Sequence, residues 1–379
     1  MADRDFLRWP FLEDAHRDFA ARVEAFAATL PAHHDDADAA TRDLARALGE
    51  AGLLAAAVPE DGRLEVRKLC LARDILARHS GLADFAFAMQ GLGTGAITLF
   101  GSDELKARVL PGVRAGTTLA AFALSEPEAG SDVAAMATTA TRDGEHWVLD
   151  GEKTWISNGG IAGSYVVFAR SGEAPGARGL SCFWVPGEAM RVVERIHTAA
   201  PHPLARLALD GVRVPDAHRI GVPGDGFRIA MSVLDVFRST VGAAALGFAR
   251  RGLDLLLKRA TTRRLFGAPL FEQGQVQAAI ADAAMDVEAS ALLVYRAAWL
   301  KDQGTPRVSR EASMAKLHAT EAAFRVADAA AQFHGGLGVV AGSAPELLTR
   351  EVRALRVYEG ASEIQRVVIA RAERDRRAG

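Results

Sequence analysis

Cysteine is nearly missing: Cys70 and Cys182 are the only two in 379 residues. They are too few and too far apart for a metal-ligand pattern or a disulfide framework, so a reduced, cytoplasmic setting without a metal site is expected. Neither sign of charge prevails. The 45 Lys and Arg against 47 Asp and Glu leave a formal charge of −2, where a nucleic-acid scaffold would carry a strong basic bias. Apolar runs such as Leu53 to Val58 are far too short to span a bilayer, so no membrane partner is expected. The opening MADRDFLRWP has no apolar core behind a basic stretch, and no secretory signal is expected from it. What remains is an ordinary globular composition, 49% hydrophobic and 24% charged. The length suits two or three domains with ample core.

The period of the apolar residues changes twice. Up to about Ala115 it is helical: Thr41–Leu54 places Leu44, Leu48 and Leu53 on one side, and Gly52 sits where a helix would end. Lys68–His79 repeats the pattern, and Ser102 caps a helix Asp103–Leu110 that Pro111-Gly112 closes. From Leu119 the segments are short and separated by turn signals: Leu119–Leu124, Trp147–Leu149, Tyr165–Arg170, Leu180–Val185, Arg191–Ile196 and Leu204–Leu209. That spacing indicates an all-β barrel or sandwich. From Gly226 helices return. Val276, Ile280, Ala283, Val287, Ala291, Val294 and Ala298 form one amphipathic stripe. A second helix, Ser309–His334, carries Met314, Leu317, Phe324, Ala327 and Ala331 on one side and ends at Gly335-Gly336. The last nine residues, RAERDRRAG, read as a solvated tail. The expected architecture is α+β multidomain: a helical domain over 1–118, a β domain over 119–225 and a helical domain over 226–379.

Two patterns are set aside. Gly91-Leu-Gly93-Thr-Gly95-Ala96 fits the dinucleotide fingerprint, but an apolar helix precedes it where a strand is required, so close packing or space beside a ligand is the better reading. His33-His34-Asp35-Asp36 offers ligand side chains that, being adjacent, do not converge on one ion.

Four segments are hard to explain as packing. Leu124-Ser-Glu-Pro-Glu-Ala-Gly-Ser-Asp-Val133 is a loop whose hydroxyls and backbone N–H groups suit a polar ring edge or a phosphate. Lys153-Thr-Trp155-Ile-Ser157-Asn-Gly-Gly160 sets an aromatic and a hydroxyl at a strand end. Gln332-Phe-His-Gly335-Gly336-Leu-Gly338 is glycine-rich at a helix C-terminus. In Tyr358-Glu359-Gly360-Ala361-Ser362-Glu363-Ile364-Gln365-Arg366, Ser362 and Gln365 read as a capping box with Glu359 just ahead of the helix. A carboxylate placed behind Val357 and Tyr358 would be desolvated and its pKa raised, which suits a general base near neutrality.

Together, and in this order, these segments resemble the acyl-CoA dehydrogenase family from about Phe11 to Arg371. R-x-x-F-G and the stretch Leu234-Asp235-Val-Phe-Arg238 with Val241–Gly247 add to the resemblance. It implies a middle β-barrel domain, a C-terminal four-helix-bundle-like domain, and FAD-dependent oxidation of an acyl-CoA thioester to the trans-2-enoyl-CoA. In that chemistry a base takes the α-proton and the β-hydrogen leaves as hydride to flavin N5. The thioester carbonyl is polarised by the base's own backbone N–H and a ribityl hydroxyl. Glu359 matches the base; the family's alternative base position is Phe237, which accepts no proton.

By the same matching, Phe122, Leu124, Ser125, Gly130, Ser131, Trp155 and Ser157 would line FAD. Arg263, Leu265, Phe266, Gln332, Gly335 and Gly336 would reach the FAD of a neighbouring subunit, and Ala361 and Glu363 fall beside the cofactor. Substrate would meet Ser131, Asp235, Arg238, Tyr358 and Gly360. The resemblance implies a homo-oligomer, a tetramer or a dimer, that passes electrons to an electron-transfer flavoprotein.

Departures from the family pattern are a shortened loop at Val58–Arg63, Ala361 for the usual Thr, Gly274 for a common Gln, and Val339 for an aromatic. The Ala361 change removes one flavin hydrogen bond of roughly 1 kcal/mol. In Asp84–Phe100, the helix matching the acyl pocket, there is no Lys or Arg, which disfavours dicarboxylyl thioesters. An oxidase or monooxygenase on the same fold and a non-catalytic FAD protein remain alternatives.

Overall fold

The computed structural model describes residues 5–31 and 36–378. Its helices are α1 (Asp14–Ala27), α2 (Ala37–Glu50), α3 (Val66–His79), α4 (Gly81–Phe100), α5 (Asp103–Arg114), α6 (Gly226–Thr262), α7 (Gly274–Asp302), α8 (Ser309–His334), α9 (Ala344–Arg353) and α10 (Ser362–Ala378). The strands are β1 (Ala120–Ala123), β2 (Thr139–Asp143), β3 (His146–Ser157), β4 (Ser164–Arg170), β5 (Leu180–Pro186), β6 (Arg191–Arg195), β7 (Leu204–Pro215), β8 (Arg219–Ile220), β9 (Arg264–Leu265) and β10 (Ala268–Pro269). Two compact units result. One comprises the described residues of Met1–Leu30, Glu65–Asp84 and Asp235–Gly379, the other those of Pro31–Leu64 and Phe85–Leu234.

The second unit holds a mixed sheet in the order β6-β7-β3-β2-β4-β5-β8, with β1 paired to β4. All six expected strand segments are present. The short β2 and β8 were not anticipated because Thr139–Asp143 is polar and largely exposed, and Arg219–Ile220 is too short to show a period. Alternation along β1 sends Ala121 and Ala123 into the core beside Val167, Phe183 and Leu207. Phe122 therefore lies on the opposite face, edge-on to Phe168 at 5.0 Å.

The Gly91–Ala96 pattern lies inside α4, and its glycine serves packing. A Cβ on Gly93 would stand 2.7 Å from Ala120 and from the Ala121 nitrogen. The Gln90 side chain completes the contact by accepting from the Ala120 N–H at 3.0 Å. Of the His33–Asp36 stretch, the first three residues lie outside the described ones; Asp36 caps α2 by accepting from Asp38 and Ala39 N–H groups.

In the first unit, small residues let helices approach. A Cβ on Gly247 of α6 would meet the Asp74 carbonyl of α3 at 2.1 Å, and one on Gly242 would meet Val294 and Ala315 at 3.1 and 3.2 Å. The α7 stripe is buried as expected from Val276 to Ala298, with Ile280 partly buried.

Four expectations are corrected. On α8 Ala327 of the expected stripe is buried, but Met314, Leu317, Phe324 and Ala331 are half-buried; the buried face also includes Ala312, Ala315, Lys316, Ala319, Ala323 and Ala330, because helix-to-helix approach selects alanines over larger groups. Pro111 does not end α5, which continues to Arg114. The helix accommodates both the missing N–H and the ring of Pro111, and the chain turns away just after it, at Gly116, whose φ is 71°. The C-terminal stretch is largely exposed, as expected of a solvated segment, but it is helical through Ala378, with Glu373 ion-paired to Arg310. Finally, α6 is long and apolar enough to cross a membrane, with an 18-residue stretch of mean hydropathy 1.4, but 83% of that stretch is buried within the protein. Its apolar surface is the surface of a core helix.

Replacing Gly93 with Ala is expected to cost about 1–3 kcal/mol, the usual range for overpacking against backbone. Gly274→Ala, where nothing lies within 4 Å of the new carbon, should leave thermal unfolding unchanged or raise its midpoint.

Candidate active site

In the first unit the loop between α9 and α10 carries Glu359. Its φ is 52°, and Gly360 follows at 89°. A non-glycine residue in the left-handed region is uncommon, and such strain concentrates at functional sites. A side chain at Gly360 would be strained by its φ, and its Cβ, 2.5 Å from Gln365 Nε2, would push that amide off the turn. The turn is tied from two directions. Gln365 Nε2 donates to the carbonyls of Glu359 at 3.3 Å and Gly360 at 2.8 Å, and Lys316 Nζ donates to Gly360 at 2.8 Å. The expected capping box does not form. Ser362 is the first residue of α10, its hydroxyl donates to Glu321 at 2.6 Å, and Gln365 serves the base loop instead.

Glu359 as a residue is half-buried, yet its Oε2 is enclosed with no hydrogen-bond partner. Burial raises its pKa above the ordinary carboxylate range. The charges of Arg73, Lys316 and Arg238 pull it back, and Asp84 adds to the rise.

Those charges are held by one another. Arg73 Nε and Nη2 grip Asp84 at 2.8 and 2.9 Å, and Nη1 donates to Thr240 at 3.1 Å. Arg238 pairs with Asp235 at 3.3 Å, and Asp235 accepts from Ser309 at 2.8 Å. Arg73, Asp84 and Lys316 escaped the sequence reading. Their signal was a charge inside an otherwise apolar or alanine-rich helical stripe, a position where a charged residue is seldom buried without a task.

The second unit carries Phe122 on β1, Leu124, Ser125, Gly130 and Ser131 in the segment after it, and Trp155 and Ser157 on β3. Backbone bonding joins the two segments, Thr154 N–H to the Ser125 carbonyl at 3.0 Å. The register of β3 against β7 shifts between Lys153 and Ile156. Within that bulge Trp155 takes φ 59° and is 61% exposed, a large aromatic turned out of the core. Ser131 and Gly130 are exposed, Ser125 and Ser157 half-buried, and Leu124 buried.

The rest of the two motifs is scaffolding. Lys153 Nζ, fully buried, pairs with Glu126 at 2.7 Å and donates to the Leu124 carbonyl at 3.3 Å. Glu126 also accepts from Ala137 and Thr138 N–H groups at 2.5 and 3.0 Å. Asn158, at φ 60°, donates to the Ala120 carbonyl at 2.9 Å.

On the first unit, β9 and β10 form a two-residue hairpin with Phe266 and Gly267 at positive φ, as such turns require. Phe266 is 90% exposed. Arg263, Gln332, Gly335, Gly336 and Glu363 are exposed, Leu265 and Ala361 half-buried. A Cβ on Gly335, Gly336 or Gly130 would meet nothing within 4 Å. Exposed aromatics, free hydroxyls and open glycine backbone are the donor set and the space that a flavin dinucleotide needs, so the residues fit FAD. A separate group, His16, Glu65 and Asp302, has metal-ligand atoms within 4.8 Å of one another. His16 already faces Glu65 at 2.6 Å, and Asp302 is taken by Arg67 at 2.8 Å.

Three family descriptions match the chain in succession: acyl-CoA dehydrogenase N-terminal domain over residues 13–117, middle domain over 121–212 and C-terminal domain over 224–373. The chain belongs to the acyl-CoA dehydrogenase family. It is 40% identical over 320 residues to cyclohexane-1-carbonyl-CoA dehydrogenase of Geobacter metallireducens, covering 83% of this chain and 84% of that one. Butyryl-CoA dehydrogenase from Megasphaera elsdenii superposes with a TM-score of 0.87 at 30% identity, covering 95% and 98% of the two chains. A glutaryl-CoA dehydrogenase from Mycobacterium smegmatis in complex with FADH2 gives 0.86 at 27% identity, covering 96% and 95%. This acyl-CoA dehydrogenase is thus an oxidoreductase of a flavoprotein family.

Removing one partner of the buried Glu126–Lys153 pair should be costly. Lys153→Met is expected to destabilise by about 3–5 kcal/mol in urea unfolding, and adding Glu126→Gln should recover most of it, because the loss is chiefly an unpaired buried charge.

Proposed function

We propose that the protein binds FAD and dehydrogenates an acyl-CoA thioester between Cα and Cβ, with Glu359 as the base. The observation that carries this reading is the enclosed, unpartnered Glu359 Oε2 on a left-handed turn. A carboxylate so placed is desolvated, ready to accept a proton and held in one orientation. Bound FAD would supply the acceptor for the β-hydride. Trp155 would cover its ring system, Ser125 and Ser157 would donate to the ring edge, and Gly130 and Ser131 would leave backbone open to the pyrophosphate. The backbone N–H of Glu359 would polarise the thioester carbonyl, making the α-proton acidic enough for a carboxylate to take.

The three cations around Glu359 are engaged, Arg73 by Asp84, Lys316 by Gly360 and Arg238 by Asp235. All three are buried, so none offers an exposed charge to a second substrate carboxylate, which favours an uncharged acyl group. Two of the named relatives are a cyclohexane-1-carbonyl-CoA and a butyryl-CoA dehydrogenase, and the third is a glutaryl-CoA dehydrogenase; the first two thioesters are apt first probes, and glutaryl-CoA is the dicarboxylyl control. The family resemblance supports an electron-transfer flavoprotein as electron acceptor. Exposed Phe266, Leu337, Val339 and Val340 on the first unit support a second copy of the chain as a partner, with its FAD against Phe266 and Gly335.

Anaerobic addition of a panel of uncharged acyl-CoA thioesters should bleach the oxidised flavin absorbance near about 450 nm. Glu359→Gln should keep FAD and lose the bleaching, by roughly 10²-fold or more. Bleaching at the wild-type rate in that variant would remove Glu359 from the base role, and a panel that leaves the wild type unbleached would contradict the dehydrogenase reading.

A further inference from the structure

The base loop rests on a residue that the reaction chemistry leaves unused. Lys316 lies on the buried alanine face of α8 and is 0% exposed. Taking an ammonium out of water is costly, and a methionine of similar length would fill much of the same space at no such cost. Its Nζ donates at 2.8 Å to the carbonyl of Gly360, the residue directly after the base. The same carbonyl accepts from Gln365 at 2.8 Å. Two donors from two helices thus converge on one peptide oxygen, at the point where the chain holds consecutive positive φ angles of 52° and 89°.

We propose that Lys316 is a positioning residue for Glu359: it anchors the Gly360 carbonyl so that the left-handed turn persists, and its charge favours the ionised form of the carboxylate. The proposal rests on Glu359 being the base. The groups acting on Glu359 are Arg73 from α3, Asp84 from α4, Arg238 from α6 and Lys316 from α8. Those acting on Lys316 are Glu359, Arg238, Glu321 and Glu363, and burial brings its ammonium down to about 8. Of the cations, Arg73 is neutralised by its bidentate hold on Asp84 and Arg238 is paired with Asp235. Lys316, by contrast, is hydrogen-bonded to an uncharged carbonyl. Its ammonium is thus set beside the base without the direct carboxylate partner that Arg73 and Arg238 each have.

The sign follows directly. Glu359 must be ionised to accept a proton, so its pKa sets the acid limb of the flavin-reduction rate. Loss of a nearby positive charge raises that pKa and carries the limb to higher pH.

The test is anaerobic stopped-flow reduction of the FAD-loaded protein, from about pH 5 to about pH 9, with whichever of butyryl-CoA and cyclohexane-1-carbonyl-CoA reduces the wild type faster. Lys316→Met removes charge and donor, Lys316→Gln keeps a donor without charge, and Lys316→Arg keeps both. The limb is expected about 1 unit higher in the Met and Gln variants and at the wild-type position in Arg. The plateau rate should fall roughly 10-fold in Met and less in Gln. A residue that only supports the fold would lower the plateau and leave the limb in place; that result in both Met and Gln overturns the proposal. Should the Met variant fail to fold, Gln against Arg decides. Glu359→Gln reduced at the wild-type rate would instead overturn the base reading itself, a separate outcome.

Discussion

A carboxylate oxygen held away from water with no hydrogen bond is an expensive object, and the first unit of this protein is organised around one. Glu359 Oε2 is enclosed without a partner, so its ionised form is tolerated only because Arg73, Lys316 and Arg238 lie close enough to offset the burial. Each of those cations needs an arrangement of its own. Arg73 requires Asp84 and Thr240, and Arg238 requires Asp235, which in turn requires Ser309. The chain of dependencies runs through five helices, α3, α4, α6, α8 and α10. It places charged side chains in helical positions that packing alone would fill with alanine or leucine.

A second constraint is backbone shape. Glu359, Trp155, Asn158 and Phe266 are the non-glycine residues with positive φ among those described. Each belongs to a segment picked out for chemistry and not for packing. Two of them, Trp155 and Phe266, are aromatics turned outward at 61% and 90% exposure. Strain of this kind persists only where the surroundings over-determine it. The surroundings are visible: the Glu126–Lys153 pair behind Trp155, the Ala120 carbonyl behind Asn158, and the hairpin of β9 and β10 beneath Phe266. Motif letters that look equivalent in sequence therefore divide into groups left free for a ligand and groups consumed in holding them out.

Much of this was legible beforehand. Periodicity located the α7 stripe and all of α8 because long helices repeat their pattern many times over. The turn signals located six strand segments for a related reason, since glycine and proline punctuate short alternating runs. What stayed hidden was pairing at a distance. Nothing local tells that Glu126 will meet Lys153, that Arg73 will meet Asp84, or that Ser362 will turn to Glu321 and not to its own helix. The α8 face was misjudged because hydrophobicity ranks leucine above alanine, while close helix contact ranks them the other way. Pro111-Gly112 reads locally as a stop, yet α5 runs on to Arg114 with Val113 buried beyond it.

The central claim is that Glu359 is a desolvated carboxyl whose ionisation is set by the cations around it. Difference infrared titration of FAD-loaded protein carrying ¹³C-labelled glutamate, wild type minus Glu359→Gln, isolates that single group. The account predicts a protonated carboxyl band that persists above the ordinary glutamate value of about 4.3 and titrates upward of it. A Glu359 that ionises at or below that value would contradict the account.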